Sequence, residues 1–109
     1  MHQQKLQYIK SYLSEQFNLP AEQIEMMLPS FIMTLSNHMR NLEKALEQNK
    51  PLILGKIGHT IKGAFLNLGL DDCAQIALLI EERGKAGDTT TNYKELVEEL
   101  RQKVKPVLE

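Results

Sequence analysis

His59 is the residue around which chemistry can be organised in this chain. A neutral imidazole is a competent nucleophile, and a reference pKa of about 6.5 leaves the ring largely neutral near physiological pH. Leu54, Ile57, Ile61, Phe65 and Leu68 recur at helical spacing and, at about 100° per residue, form one apolar stripe. His59 projects nearly opposite the centre of that stripe, with Gly55, Lys62, Gly63 and Leu66 around it. A lone histidine is ordinarily a satisfied core or surface residue, and the projection removes the core version. A plain surface residue does not account for a lysine three positions on, a glycine four positions on and an exposed Leu66. An open, partly apolar face with a nucleophile at its centre suits docking by another protein that must reach that atom.

The same helix breaks a local rule. It carries Gly55, Gly58 and Gly63, and each glycine inside a helix costs about 1 kcal/mol relative to alanine. A sequence that accepts this three times needs either the backbone or the space above it. On the next helix Leu70, Cys73, Ala74, Ala77 and Ile80 make an apolar face, and Glu81 projects onto its edge. A carboxylate there needs a partner or a path to water. Cys73 lies on the apolar face, where a buried thiol is inert. His2 and His38 have no ligand spacing with His59 or with acidic residues, so no metal site is expected. The glycines follow helical periodicity rather than a nucleotide-binding loop.

Helices must position these groups, because no strand alternation is convincing anywhere. Leu6, Ile9, Leu13 and Phe17 predict a first helix, ended by Asn18-Leu19-Pro20. A longer stripe runs Ile24, Leu28, Phe31, Leu35, His38, Leu42 and Ala45, with a break or kink expected at Pro29. His38 is read as a boundary residue. Asn49-Lys50-Pro51 separates this helix from the one bearing His59, which Gly69 stops. Asp72 with Gln75 predicts a capping box for the next helix, which runs to Gly84 or Gly87. Asn92 with Glu95 repeats the signal before Tyr93, Val97, Leu100, Val104 and Val107. Met26, Met27 and the scattered aromatics are read as core filling. Short connections between amphipathic helices imply antiparallel neighbours, hence an all-α, up-and-down four-helix bundle with a short additional N-terminal helix.

Composition narrows the function classes. The 109 residues fit one domain, 1–109. Thirteen basic residues against fourteen acidic ones give a net charge of −1, without the basic excess of a nucleic-acid binder. One cysteine forms no internal disulfide, the N-terminal residues Met1 to Lys5 carry no apolar core of signal-peptide length, and no apolar run approaches membrane-spanning length. The expectation is a cytoplasmic protein acting as a monomer, away from membranes.

The run His59-Thr60-Ile61-Lys62-Gly63, followed by Asn67-Leu68-Gly69, resembles the signature of histidine-containing phosphotransfer (HPt) domains. In that family lysine stands three positions after the histidine, glycine four and a second glycine ten. Phe31 to Ala45 resembles the helix before the site helix. Ile80-Glu81 and Gly84-Lys85-x-Gly87-Asp88 resemble the helix and turn that follow, so the likeness covers roughly residues 28 to 105. Gly58 departs from the family, where alanine is commoner.

The resemblance implies that His59 accepts a phosphoryl group from an aspartyl-phosphate of a receiver domain and passes it to another receiver. It implies response-regulator receivers as partners, with a hybrid sensor histidine kinase as a further candidate, and Mg²⁺ only on the receiver. The chain would carry phosphate without kinase activity or a cofactor of its own. Phosphoryl transfer needs positioning and charge stabilisation. Lys62 would offset phosphoryl charge, Gly63 would give clearance, and Gly55 and Leu66 would lie in the docking surface. Glu81 would either hold the imidazole tautomer, as the corresponding glutamate does in some members, or snorkel to solvent. The rival of another class is a helical adaptor that keeps the fold without phosphorylation. A histidine-based hydrolase would need a cleft, whereas a convex helix face is expected here.

Overall fold

A computed structural model describes residues 2–108 of the chain, with side chains from residue 4 onward. Met1 and the side chain of His2 lie outside the described residues. Five α-helices make up the described chain: α1 (His2–Phe17), α2 (Ala21–Glu47), α3 (Pro51–Asn67), α4 (Asp71–Lys85) and α5 (Tyr93–Leu108). Helix α3 packs most extensively on α4, α2 lies against α3 and α5, and α4 lies against α5. These four pairings close a ring of helices around the core, and α1 covers α2 and α5. At 16 residues α1 equals α5 and exceeds the 15 residues of α4, so it is not the short element expected.

The stripes read from the sequence form the core, except that Phe17 at the end of the first is exposed. Ile9, Leu13, Leu35, Leu42, Ile61, Phe65, Ile80, Val97 and Leu100 are all fully buried. Each such side chain contributes about 1.5–3 kcal/mol of burial free energy, which holds α3 in one rotational setting. His38 is half-buried at the edge of its stripe, and Met39 beside it fills the core instead. Met26 is 80% exposed and Met33 66% exposed, which corrects the reading of Met26 as core filling. Met26 sits two positions past Ile24 and therefore on the opposite side of the helix.

Helix ends follow the punctuation in the sequence at most junctions. Gly69 (φ 75°) closes α3, with the Leu70 N–H donating to Phe65 O and the Gly69 N–H to Leu66 O. Gly87 (φ 69°) closes α4 in the same way, through Asp88 N–H to Arg83 O and Gly87 N–H to Gly84 O. Both are Schellman ends that only a residue tolerant of left-handed backbone accepts without strain. The Asn92 carboxamide accepts from the Glu95 N–H at 3.1 Å and donates to its carboxylate, as a cap before α5 should.

Two local expectations fail. Of the break or kink expected at Pro29 the break is absent, since Pro29 lies inside a continuous α2 and does not divide it. Pro29 has no N–H to donate to the Glu25 carbonyl, so the helix forgoes one bond there, and the buried Ile24, Leu28 and Leu35 anchor it on either side. The Asp72–Gln75 capping box is absent as well. Helix α4 starts two residues earlier than that cap would set it, its cap is Leu70 without a side-chain bond, and Asp72 Oδ1 instead accepts from the N–H of Cys73 at 2.9 Å.

Candidate functional site

Three glycines decide how closely α3 and α4 approach. A Cβ on Gly84 would fall 2.5 Å from the Gly55 nitrogen and 2.5 Å from the Pro51 carbonyl oxygen. One on Gly55 would fall 2.7 Å from the Lys85 nitrogen, and one on Gly58 would fall 2.9 Å from the Glu81 nitrogen. These are backbone atoms that cannot step aside. The helices therefore touch along a seam that excludes any side chain at these positions.

This corrects the place of Gly55, which is buried in the seam and cannot contribute to an open docking face. It also gives Gly58, the departure from the family pattern, a packing reason. Gly63 behaves differently, since a Cβ there would meet nothing within 4 Å. Of the three α3 glycines, Gly63 alone leaves open space beside His59.

The seam brings α4 over the flank of His59. The imidazole Nδ1 lies 2.8 Å from Glu81 Oε2, and the His59 side chain is 62% exposed while that of Glu81 is 10% exposed. Lys62 Nζ sits 2.7 Å from Glu81 Oε1, as an ion pair directed away from hydrogen-bond alignment. Lys85 Nζ donates to Oε2 at 2.9 Å, so this oxygen serves both Lys85 and the histidine. Of the two readings left open for Glu81, the geometry selects contact with the ring. Lys62 is half-buried and paired with Glu81 rather than extended into free solvent beside the ring.

Lys85 was missed as a site residue. The usable signal was its position four residues after Glu81 on one helix face, the spacing of a side-chain ion pair. Leu66 is 46% exposed, two turns beyond His59, as its projection requires. Among the described residues no group of His, Cys, Asp and Glu could hold a metal ion. Burial, with the neighbouring Asp72 carboxylate, pushes the Cys73 thiol up to about 11, which keeps it protonated and unreactive.

The Glu81 carboxyl is held down at about 2, first by the Lys62 ammonium, then by Lys85 and His59, against the opposing effect of burial. It is ionised at any physiological pH. With Nδ1–H donating to that carboxylate, the lone pair of the ring belongs to Nε2. One fixed carboxylate thus sets the tautomer and leaves the lone pair on Nε2 of a side chain that is 62% exposed.

A folded-state pKa depressed from 4.5 to about 2 stabilises the fold fully above the upper value and progressively less as pH falls towards the lower. Glu81→Gln should therefore flatten part of the acid limb when urea midpoints are compared at neutral pH and at successive points below 4.5. Only part is expected to go, because Asp88 is likewise held at about 2 by the Thr90 hydroxyl and N–H and by Thr91. An unaltered acid limb would show that the lysine pairs at Glu81 add nothing to folding.

The family model of the Hpt domain matches residues 26–105. No curated protein and no solved structure matches the chain significantly. The chain belongs to the Hpt domain family, and the match spans α3 and α4 with the whole His59 cluster. Hpt domains are histidine-phosphotransfer carriers of two-component signalling, distinct from kinases, and they work with receiver domains. Among the described residues no helix is long and apolar enough to cross a membrane.

Proposed function

We propose that the chain is a phosphorelay intermediate that takes a phosphoryl group onto His59 from a receiver aspartyl-phosphate and delivers it to a second receiver. It acts as a monomeric cytoplasmic domain over residues 1–109, a four-helix bundle of α2 to α5 with α1 added. It needs no cofactor of its own. The observation that carries this proposal is the bond between His59 Nδ1 and Glu81 Oε2, which leaves the ring's lone pair on Nε2 of a largely exposed side chain.

In the forward step the Nε2 lone pair attacks phosphorus in line with the acyl oxygen. The P–N bond forms as the P–O bond breaks, and the receiver aspartate leaves as carboxylate. Nδ1 keeps its proton, so the ring becomes cationic as it gives up electron density, and Glu81 is already placed to stabilise that charge. Delivery to the next receiver reverses these bond changes. The proton on Nδ1 never moves, and no general base is required.

The test is incubation with a ³²P-phosphorylated receiver, scoring acid-labile, base-stable phosphate on the chain. Transfer within the assay, lost on acid treatment, is expected. A chain that stays unlabelled with every active receiver tried is the adaptor of the alternative reading. Gly63→Leu supplies a sharper check of the open space beside His59. It should lower receiver-dependent labelling by at least about tenfold while raising stability slightly, since leucine favours helix by about 0.8 kcal/mol. Unchanged labelling would remove clearance from the role of Gly63.

A further inference from the structure

The resting site holds more positive charge than its carboxylate needs. Glu81 carries one negative charge, whereas Lys62 and Lys85 bring two positive ones to its two oxygens at 2.7 and 2.9 Å. Lys85 also shares Oε2 with the His59 ring, and its side chain is 53% exposed and free to swing. If Lys85 only neutralised Glu81, it would duplicate Lys62 and compete with the imidazole for the same oxygen.

The count changes once His59 carries a phosphoryl group, which rests on the function proposed above. The phosphoryl oxygens bring close to two negative charges. The ring, protonated at Nδ1 and bonded to phosphorus at Nε2, brings one positive charge. Three negative charges, one on Glu81 and two on the phosphoryl group, then face three positive ones on the ring, Lys62 and Lys85. The cluster is neutral only if Lys85 is included.

We propose that Lys85 is a second phosphate-binding cation of the site, parked on Glu81 at rest and released to the phosphoryl oxygens when the cationic ring takes over Oε2. Lys85 Nζ and His59 Nδ1 share Oε2, so the ammonium rests one carboxylate oxygen away from the ring that takes up the phosphoryl group, and its flexible stem supplies the remaining reach. A lysine suits the task because its ammonium is a mobile point charge without fixed directional geometry.

Phosphoramidate serves as the probe, because it phosphorylates histidine without any docking surface. Nε2 attacks its phosphorus, the P–N bond to the ammonium group breaks, and ammonia leaves. Labelling rates on His59 would be compared for the full chain, Lys85→Met and Lys85→Arg across a salt series, with ¹⁵N shifts of the ring recorded before labelling. Lys85→Met should label about fivefold to tenfold more slowly, with a flatter salt dependence and an unchanged Nε2 lone-pair tautomer. Lys85→Arg should restore most of the rate.

A wild-type rate in Lys85→Met overturns the proposal. So does a slow rate accompanied by a lost tautomer signature, which would mean that Lys85 acts only by holding Glu81. Failure of arginine to rescue would likewise exclude a simple charge role. The functional proposal fails separately: the unaltered chain would take label from phosphoramidate and none from any receiver.

Discussion

His59→Gln should abolish phosphate acceptance while leaving the fold in place. Glutamine offers an amide nitrogen whose lone pair is delocalised, so no P–N bond can form and labelling from a phosphorylated receiver should fall to background. Stability should change by no more than about 1 kcal/mol, since the His59 side chain is 62% exposed. The neighbouring Glu81 is not orphaned by the change, because Lys62 and Lys85 remain at 2.7 and 2.9 Å from its oxygens. Far-ultraviolet circular dichroism and a urea midpoint check the second half of the expectation. Residual acid-labile label would place the acceptor elsewhere, on His38 or an unconsidered residue. Gross unfolding would mean that the imidazole–Glu81 bond holds α3 to α4 more strongly than the two lysine pairs do.

The second large effect concerns one methyl group placed at two glycines. Both Gly63→Ala and Gly84→Ala improve intrinsic helix propensity by about 1 kcal/mol. At Gly63 nothing lies within 4 Å of the new Cβ, so the change should stabilise the domain by about 0.5–1 kcal/mol. At Gly84 the Cβ would fall 2.5 Å from backbone atoms of α3, and the helices must part. Overpacking of this kind costs about 1–3 kcal/mol, and here no flexible side chain can yield, so the upper end outweighs the gain in propensity. Gly84→Ala should thus be destabilising by about 2 kcal/mol, opposite in sign to Gly63→Ala, in urea unfolding. It should also slow labelling of His59 several-fold, because Glu81 lies one turn before Gly84 and moves with it. Equal effects of the two substitutions would show that the α3–α4 seam has room the structure does not reveal.

The sequence by itself determined the helices, the apolar faces and the histidine on which the proposed chemistry rests. Periodicity carries that information, since a residue's direction on a helix follows from its number once the buried stripe is known. His59 lies opposite Leu54, Ile61 and Phe65 for this reason, and its exposure follows. The ends of α3 and α4 were legible at Gly69 and Gly87 because a left-handed closing residue is a local requirement.

Where local signals competed with packing, packing prevailed. Pro29 did not break α2, and Asp72 did not cap α4. Only the tertiary structure decided what the glycines are for. Projection along one helix cannot say which neighbour it meets, so Gly55, Gly58 and Gly63 looked alike. Two of them lie against the α4 backbone and the third faces open space. That separation between helix axes also decided the contact of Glu81 with His59, and with it the arrival of Lys62 and Lys85 at one carboxylate. A hydrogen bond spanning 22 positions depends on the distance between two helices, and that distance is set by the absence of side chains at the seam.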